Sequence, residues 1–352
     1  LLAIAIVWSG GAVTVSGVEE DESRGSTEPA KPQAETEGSW ALAIHGGAGS
    51  DPASWPAGKR AAWQAGLRQA LQRGKTLLQQ GASAVETVEA VIRVFEDDAH
   101  FNAGRGAVLT TAGEAELDAA IMDGRTAACG AVGGVTTARN PISLARLVMT
   151  ETPHVLLVGP GADQFAKQQA AAGQLELVTL DYFLSHRQQH HNQEVTPVSP
   201  APPKQDDEPH FGTVGCVVRD AAGHLAAGTS TGGTRDQLPG RIGDSPIVGA
   251  GTYAADDCCA VSGTGVGEEY IRHAVAYDIA AQIRYAARPL AAAVEEIMLR
   301  RLQPGVGGVI AIDRDGTIVM QHNTPGMSCG AADSEGRFEI ELQVAAPDSD
   351  SQ

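Results

Sequence analysis

One interruption limits what this chain can fold into. Between about Leu184 and His210 the apolar pattern collapses and Gln, His, Pro and Asp take over, including His190-His191 and Pro202-Pro203. A stretch of that length inside a domain is usually functional or disordered. Its histidines could hold a metal, or they are incidental side chains of a solvated loop. Order returns abruptly at Gly212, and each side of the gap carries short apolar strands and amphipathic helices in blocks. Before it, Trp40 to His45 reads as a strand, with Gly46 to Gly49 turning the chain. Arg60 to Gln80 reads as a helix, and a second follows the capping box Ser83-x-x-Glu86. Residues 101 to 135 read as short Gly-rich strands, Ile142 to Glu151 as a helix and His154 to Val158 as a strand. After the gap, Thr213 to Arg219 and His224 to Thr229 are predicted strands. Glu268 to Ala287 and Pro289 to Gln303 are predicted helices. Gly307 to Ile312 and Thr317 to Gln321 form a hairpin, and Phe338 to Val344 is a last strand. Strands and helices in such blocks predict an α+β layered fold whose two halves are joined by a dispensable loop.

Composition narrows the function. Asp and Glu total 43 against 25 Lys and Arg, a formal charge of −18, which argues against a nucleic-acid partner. An anionic substrate is still possible, because one Arg can hold a carboxylate in an acidic protein. The 42 glycines in 352 residues exceed the ordinary ~7% and imply tight turns and close backbone approaches. Five cysteines without a CxxC pair form neither a zinc site nor a disulfide framework; the vicinal Cys258-Cys259 reads as two sheet side chains. Residues 1–18 resemble the apolar region of a secretory signal or signal anchor lacking its charged start. Residues 19–39 read as a disordered linker. Together they predict export to the periplasm or outside the cell, with membrane association only if the segment is retained.

Three segments carry candidate chemistry. Gly228-Thr229-Ser230-Thr231-Gly232 matches the nucleophile elbow G-x-S-x-G, which would make the protein a serine esterase using Ser230. The elbow needs a helix after the turn, and Gly233 to Gly240, with Pro239, cannot supply one. Gly263-Thr264-Gly265-Val266-Gly267 stands before a predicted helix, where backbone N–H groups suit an oxyanion or small ligand. It lacks the Lys of a phosphate loop. Gly212-Thr213-Val214-Gly215-Cys216 opens a strand directly after the polar gap. Cleavage between Gly212 and Thr213 would give Thr213 a free α-amine of pKa ~7.7–8.0 beside its own hydroxyl, a recognised activated nucleophile. Alone, a Thr opening a strand is ordinary β-branched filler.

The motifs do not stand alone. Ile44-His45-Gly46-Gly47-Ala48-Gly49, Phe101-Asn102-Ala103-Gly104-Arg105-Gly106 and Ile121-Met122-Asp123-Gly124 precede the junction. Thr229 to Gly233, Pro239 to Pro246, Gly249 to Ala254, Gly263 to Gly265 and Asn323 to Met327 follow it. In this order they resemble the isoaspartyl peptidase/L-asparaginase family, the plant-type asparaginases among the N-terminal nucleophile hydrolases. The resemblance covers about residues 40 to 344, except the loop.

The resemblance implies a four-layer αββα sandwich folded as one domain over 40–344. It implies cleavage into an α subunit (40–212, with the flexible loop 184–211) and a β subunit (213–352), with a homodimer of such αβ units as the assembly. Thr213 would be the nucleophile, Thr231 the hydroxyl that tunes it, and Thr264 with the Gly265 N–H the oxyanion hole. Arg241 would clamp the substrate α-carboxylate, Asp244 and the Gly267 backbone the α-ammonium, and Asn102 would lie against the substrate. The carbonyls of Phe95, Glu96, Asp98, Phe101, Ala103 and Arg105 would hold a structural sodium ion, with no organic cofactor. The implied reaction releases L-aspartate from β-aspartyl dipeptides and L-asparagine. Export makes glycosylasparaginase-like cleavage of sugar-linked asparagine the alternative. Val266 and Ser328-Cys329-Gly330 depart from the common pattern and leave the choice between peptide and free asparagine open.

Overall fold

The computed structural model describes residues 38–184 and 212–344; the proposed signal, most of the linker and the His-rich loop lie outside them. Alternation along the strands dictates the layers. On β1 (Ala41–Gly49), Leu42 and Ile44 enter one apolar cluster, while Ala41 and Ala43 enter another. The same split recurs on β5 (Val214–Arg219), with Val214, Cys216 and Val218 on one side and Val217 on the other. A strand that is apolar on both faces must be covered on both.

The strands form two sheets. The larger has the order β12-β11-β1-β5-β6-β2-β3-β4, the smaller β10-β9-β8-β7. The larger comprises β1, β2 (Leu117–Asp123), β3 (Cys129–Val135), β4 (Leu156–Val158), β5, β6 (Leu225–Thr231), β11 (Gly326–Asp333) and β12 (Phe338–Val344). The smaller comprises β7 (Thr252–Ala254), β8 (Cys259–Gly265), β9 (Gly307–Asp313) and β10 (Ile318–His322). Helices α1 (Ala57–Gln79), α2 (Ala84–Asp97), α3 (Pro141–Glu151) and α4 (Gly159–Ala171) cover the outer face of the large sheet. Helices α5 (Gly267–His273), α6 (Val275–Ala286) and α7 (Leu290–Glu295) lie on the small-sheet side. The inner faces meet in a cluster holding Ala43, Val217, Leu225, Ala227, Ile310 and Ile312. This is the αββα sandwich.

Several boundaries follow from local chemistry. The Ser83 hydroxyl accepts from Glu86 N while the Glu86 carboxylate accepts from Ser83 N, so the expected capping box starts α2. The predicted turn at Gly46 to Gly49 is instead a continuation of β1, with a bulge between His45 and Gly47. The predicted helix Glu268 to Ala287 is two helices, because Ala274 turns left-handed at φ +46°. The stretch Pro289 to Gln303 begins as α7 and ends in a π-helical turn over Glu296–Arg301. Helix α4 and strands β7, β8 and β11 had no counterpart among the expected elements. All five cysteines are free, and Cys258 and Cys259 are both buried.

Candidate active site

Thr213 immediately precedes β5, and it is only 8% exposed. Strand alternation directs it, with Thr229 and Thr231 of β6, toward the space between the sheets. Its hydroxyl donates to Thr231 Oγ1 at 3.0 Å, and Thr231 Oγ1 also accepts from Gly233 N at 3.0 Å. Gly212 packs against Asn102 so closely that a Cβ there would lie 2.8 Å from the Asn102 Cβ. Only glycine fits without displacing that side chain.

Thr213 and Thr231 share a small cavity with Arg241 and Asp244, and Gly233, Thr234 and Gly265 complete its lining. Its volume is about 10 Å³, room for about one water. A larger cavity of about 230 Å³ lies beyond Gly212, walled by Gly46 to Ser50, Trp55, Trp63, Asn102, Arg235 and Met327. The intact Gly212–Thr213 bond therefore has one residue on each cavity.

The site sets a guanidinium beside a buried carboxylate. Arg241 faces Glu268, with Nε to Oε1 at 3.1 Å and Nη2 to Oε2 at 3.2 Å. Two parallel bonds preorganise the guanidinium fork, and pairing with Arg241 holds the Glu268 carboxyl below its ordinary range. Asp244 is buried, and among the described residues its Oδ2 has no hydrogen-bond partner. Burial pushes its carboxyl up to about 7. A buried carboxylate short of a partner favours a cation beside it. Asp118, pushed up to about 6 by burial, accepts from Gly243 N at 3.0 Å and Gly134 N at 2.9 Å and so fixes the Arg241–Asp244 loop. A Cβ on Gly267 would stand 2.8 Å from Asp244 Oδ1 and 2.9 Å from Arg241 Nη2, so its backbone lies against both.

Thr264, the residue before the end of β8, is fully buried, its Oγ1 accepting from Ala48 N at 3.4 Å. Gly265, at φ +150°, turns the chain where a Cβ would meet the Val306 carbonyl at 2.1 Å. A family model described as asparaginase matches residues 38–342, which hold all of these groups. The chain belongs to the asparaginase family. It is 41% identical over 328 residues to a probable isoaspartyl peptidase/L-asparaginase 2 of Arabidopsis thaliana, covering 87% of this chain and 99% of the relative. It is 42% identical over 292 residues to the isoaspartyl peptidase of Escherichia coli strain K12, covering 81% and 90%. With the human isoaspartyl peptidase/L-asparaginase it shares 39% over 270 residues, covering 76% and 86%.

Within this asparaginase-family chain the expected residues divide. Thr213, Thr231, Arg241, Asp244 and Gly265 line one cavity; Gly267 lies against Asp244 and Arg241, while Thr264 does not line it and turns its hydroxyl to Ala48 N. Asn102 lines the neighbouring cavity. Its Nδ2 donates to the Gly233 carbonyl at 2.7 Å and its Oδ1 accepts from Val108 N at 2.9 Å, so its amide ties loops together. Ser230 is not an elbow nucleophile. It is fully buried on the helix side of β6 and donates to Glu96 Oε1 at 2.7 Å. Glu96, whose carboxyl burial pushes up to about 8, also accepts from Ile142 N at 3.0 Å.

The proposed ion ligands Phe95, Glu96, Asp98, Phe101, Ala103 and Arg105 lie between the end of α2 and the 3-10 turn Gly104–Gly106. The carbonyls of Phe95, Asp98, Phe101 and Ala103 each accept one backbone N–H, which leaves each a second lone pair. Gly104, at φ +49°, passes the Glu96 carbonyl where a Cβ would be 2.4 Å away. Hard carbonyl oxygens suit an alkali or alkaline-earth cation. Among the described residues no cluster of three His, Cys, Asp or Glu side chains is placed to hold a metal.

Sequence reasoning missed Glu268 as the partner of Arg241, and read it only as the start of a helix. It also missed Asp118 and Gln237, whose Oε1 accepts from Thr234 N at 3.0 Å. The acidic residue at the start of α5 was a usable signal for Glu268, because it follows a glycine run that must approach a ligand.

Proposed function

We propose that this chain is a self-cleaving threonine amidohydrolase that releases L-aspartate from β-aspartyl dipeptides and from L-asparagine. The observation that carries the reading is Thr213 beside Thr231 in one cavity with Arg241 and Asp244. That cavity is far too small for asparagine while the chain is intact, and Gly212 walls the larger space next to it. Cutting the Gly212–Thr213 bond joins the two and exposes the α-amine. Processing and substrate access are then one event.

In turnover the substrate α-carboxylate pairs with Arg241 and the α-ammonium with Asp244. Thr213 Oγ attacks the side-chain carbonyl carbon, and its own α-amine takes the hydroxyl proton. Thr264 Oγ1 and the Gly265 N–H donate to the oxyanion that forms. The carbon–nitrogen bond breaks as the α-amine returns the proton to the departing amine. Water then attacks the aspartyl ester, and L-aspartate leaves. The relatives, named isoaspartyl peptidase and isoaspartyl peptidase/L-asparaginase, support this choice of substrate over sugar-linked asparagine.

Intact-mass measurement of the purified protein tests the reading. Two fragments are expected, the second starting at Thr213. A Thr213→Ala variant should stay uncut and inactive; a Thr213→Ala variant that still releases ammonia from asparagine refutes it. We also propose the carbonyl-bound sodium at residues 95–105. Its test is the Tm in sodium chloride against choline chloride at equal ionic strength, and equal values remove the ion.

A further inference from the structure

His45 is a fully buried histidine that the reaction above does not use. Its Nδ1 lies 3.0 Å from the Thr213 carbonyl oxygen and its Nε2 lies 3.1 Å from Ser262 Oγ. Burial pushes it down to about 3, so it is neutral. A carbonyl oxygen only accepts, so the single ring proton sits on Nδ1 and donates to Thr213, and Nε2 must accept. Ser262 therefore gives its proton to Nε2 and accepts at its oxygen. The Thr229 hydroxyl lies 2.7 Å from Ser262 Oγ and 3.2 Å from the Gly251 carbonyl, and the shorter contact takes its proton. By the same comparison the Thr252 hydroxyl donates to Thr229 Oγ1 at 2.7 Å rather than to the Ser245 carbonyl at 3.1 Å. All four side chains are buried, and they come from β1, β8, β6 and β7 across both sheets. The directions agree along the whole chain, so each bond polarises the next.

Space for this chain is made by Gly215. It pairs with His45 across β1 and β5, and a Cβ on it would meet Ser262 Oγ at 2.1 Å and His45 Nε2 at 2.2 Å. Thr213 itself lies outside the ladder, since β1–β5 pairing ends at His45–Gly215 and β5–β6 pairing ends at Val214–Ser230. Once cut, Thr213 also loses its upstream peptide. Its remaining anchors are its hydroxyl on Thr231 and its carbonyl on His45.

We infer that Thr252, Thr229, Ser262 and His45 form a positioning chain that holds the Thr213 carbonyl and so sets the direction in which its α-amine meets its own hydroxyl. This rests on the reading of Thr213 as the nucleophile. His45 touches no reacting atom and acts through the Thr213 backbone, so it governs kcat and leaves substrate binding to Arg241 and Asp244.

The test measures hydrolysis of a β-aspartyl dipeptide, with kcat counted per cut molecule and folding followed by Tm. His45→Phe, which removes the donor, should lower kcat by about 10²-fold with KM within about twofold, the effect of misaligned reacting groups. His45→Asn puts an N–H near the position of Nδ1 and should recover about tenfold of that loss. Ser262→Ala should lower kcat less than His45→Phe does. Wild-type kcat in His45→Phe, equal loss in Phe and Asn variants, or a change in KM alone overturns the inference. If His45→Phe does not fold, Ser262→Ala decides, and unchanged kcat at unchanged Tm overturns the chain. An active Thr213→Ala variant would instead refute the nucleophile, while an inactive one beside a fully active His45→Phe refutes only the positioning chain.

Discussion

Asp244 has a buried oxygen with no partner among the described residues, and that sets two pH dependences. Burial raises its folded carboxyl to about 7, with Asp118 and Glu268 adding to the shift and Arg241 opposing it. In the unfolded chain an aspartate releases its proton near ~3.9. Between those values the folded state keeps a proton that the unfolded state has lost, so stability falls as pH rises from about 4 to about 7. A bound α-ammonium reverses the loss. The rise in Tm on adding L-aspartate should therefore be larger at pH 8 than at pH 5, and equal rises would exclude Asp244 as the ammonium partner. In steady state, kcat/KM should fall as pH drops through about 7, where Asp244 takes up its proton. Asp244→Asn should lower kcat/KM by roughly 10–100-fold, the worth of a charged hydrogen bond.

Elements position these residues more tightly than their spacing suggested. Helix α5 begins at Gly267 against both Asp244 and Arg241, so Gly267→Ala pushes a methyl into the two groups proposed to hold the amino-acid head. A loss of about tenfold in kcat/KM with Tm almost unchanged is expected, in line with small misplacements of binding groups; a wild-type value would mean that the loop yields freely. Much at this scale was readable beforehand. The capping box fixed the start of α2, and β12 runs from Phe338 to Val344 as its alternation implied. Alternation along β6 separates Thr231 from Ser230, which turns to Glu96 on the helix side. The break between α5 and α6 was not readable, because the apolar period continues through Ala274 and a left-handed φ at an alanine leaves no mark in it. Strand β8 was hidden by its own glycines. Thr229, Thr252 and Ser262 are ordinary strand residues in sequence, and only the packing of two sheets brings them to His45.

Across the whole molecule, the two products of the proposed cleavage would be interleaved. In the large sheet β1 of the first piece lies between β11 and β5 of the second, and β6 of the second pairs with β2 of the first. Separating the pieces would strip three strand interfaces and the cluster between the sheets. The cut protein should elute as one species in native size exclusion and melt in one transition, with fragments resolved only in denaturant. Two native peaks would contradict the interleaving.

That topology also bears on a hazard of using a chain terminus as a catalyst. A free N-terminal threonine is ordinarily open to aminopeptidases, which would trim it, and to acetylating enzymes, which would take away its basicity. The proposed cut would place the terminus inside the finished fold, at the 8% exposed Thr213 next to a strand hydrogen-bonded on both sides. On that proposal the reactive amine is made only after large modifying enzymes have lost their access to it.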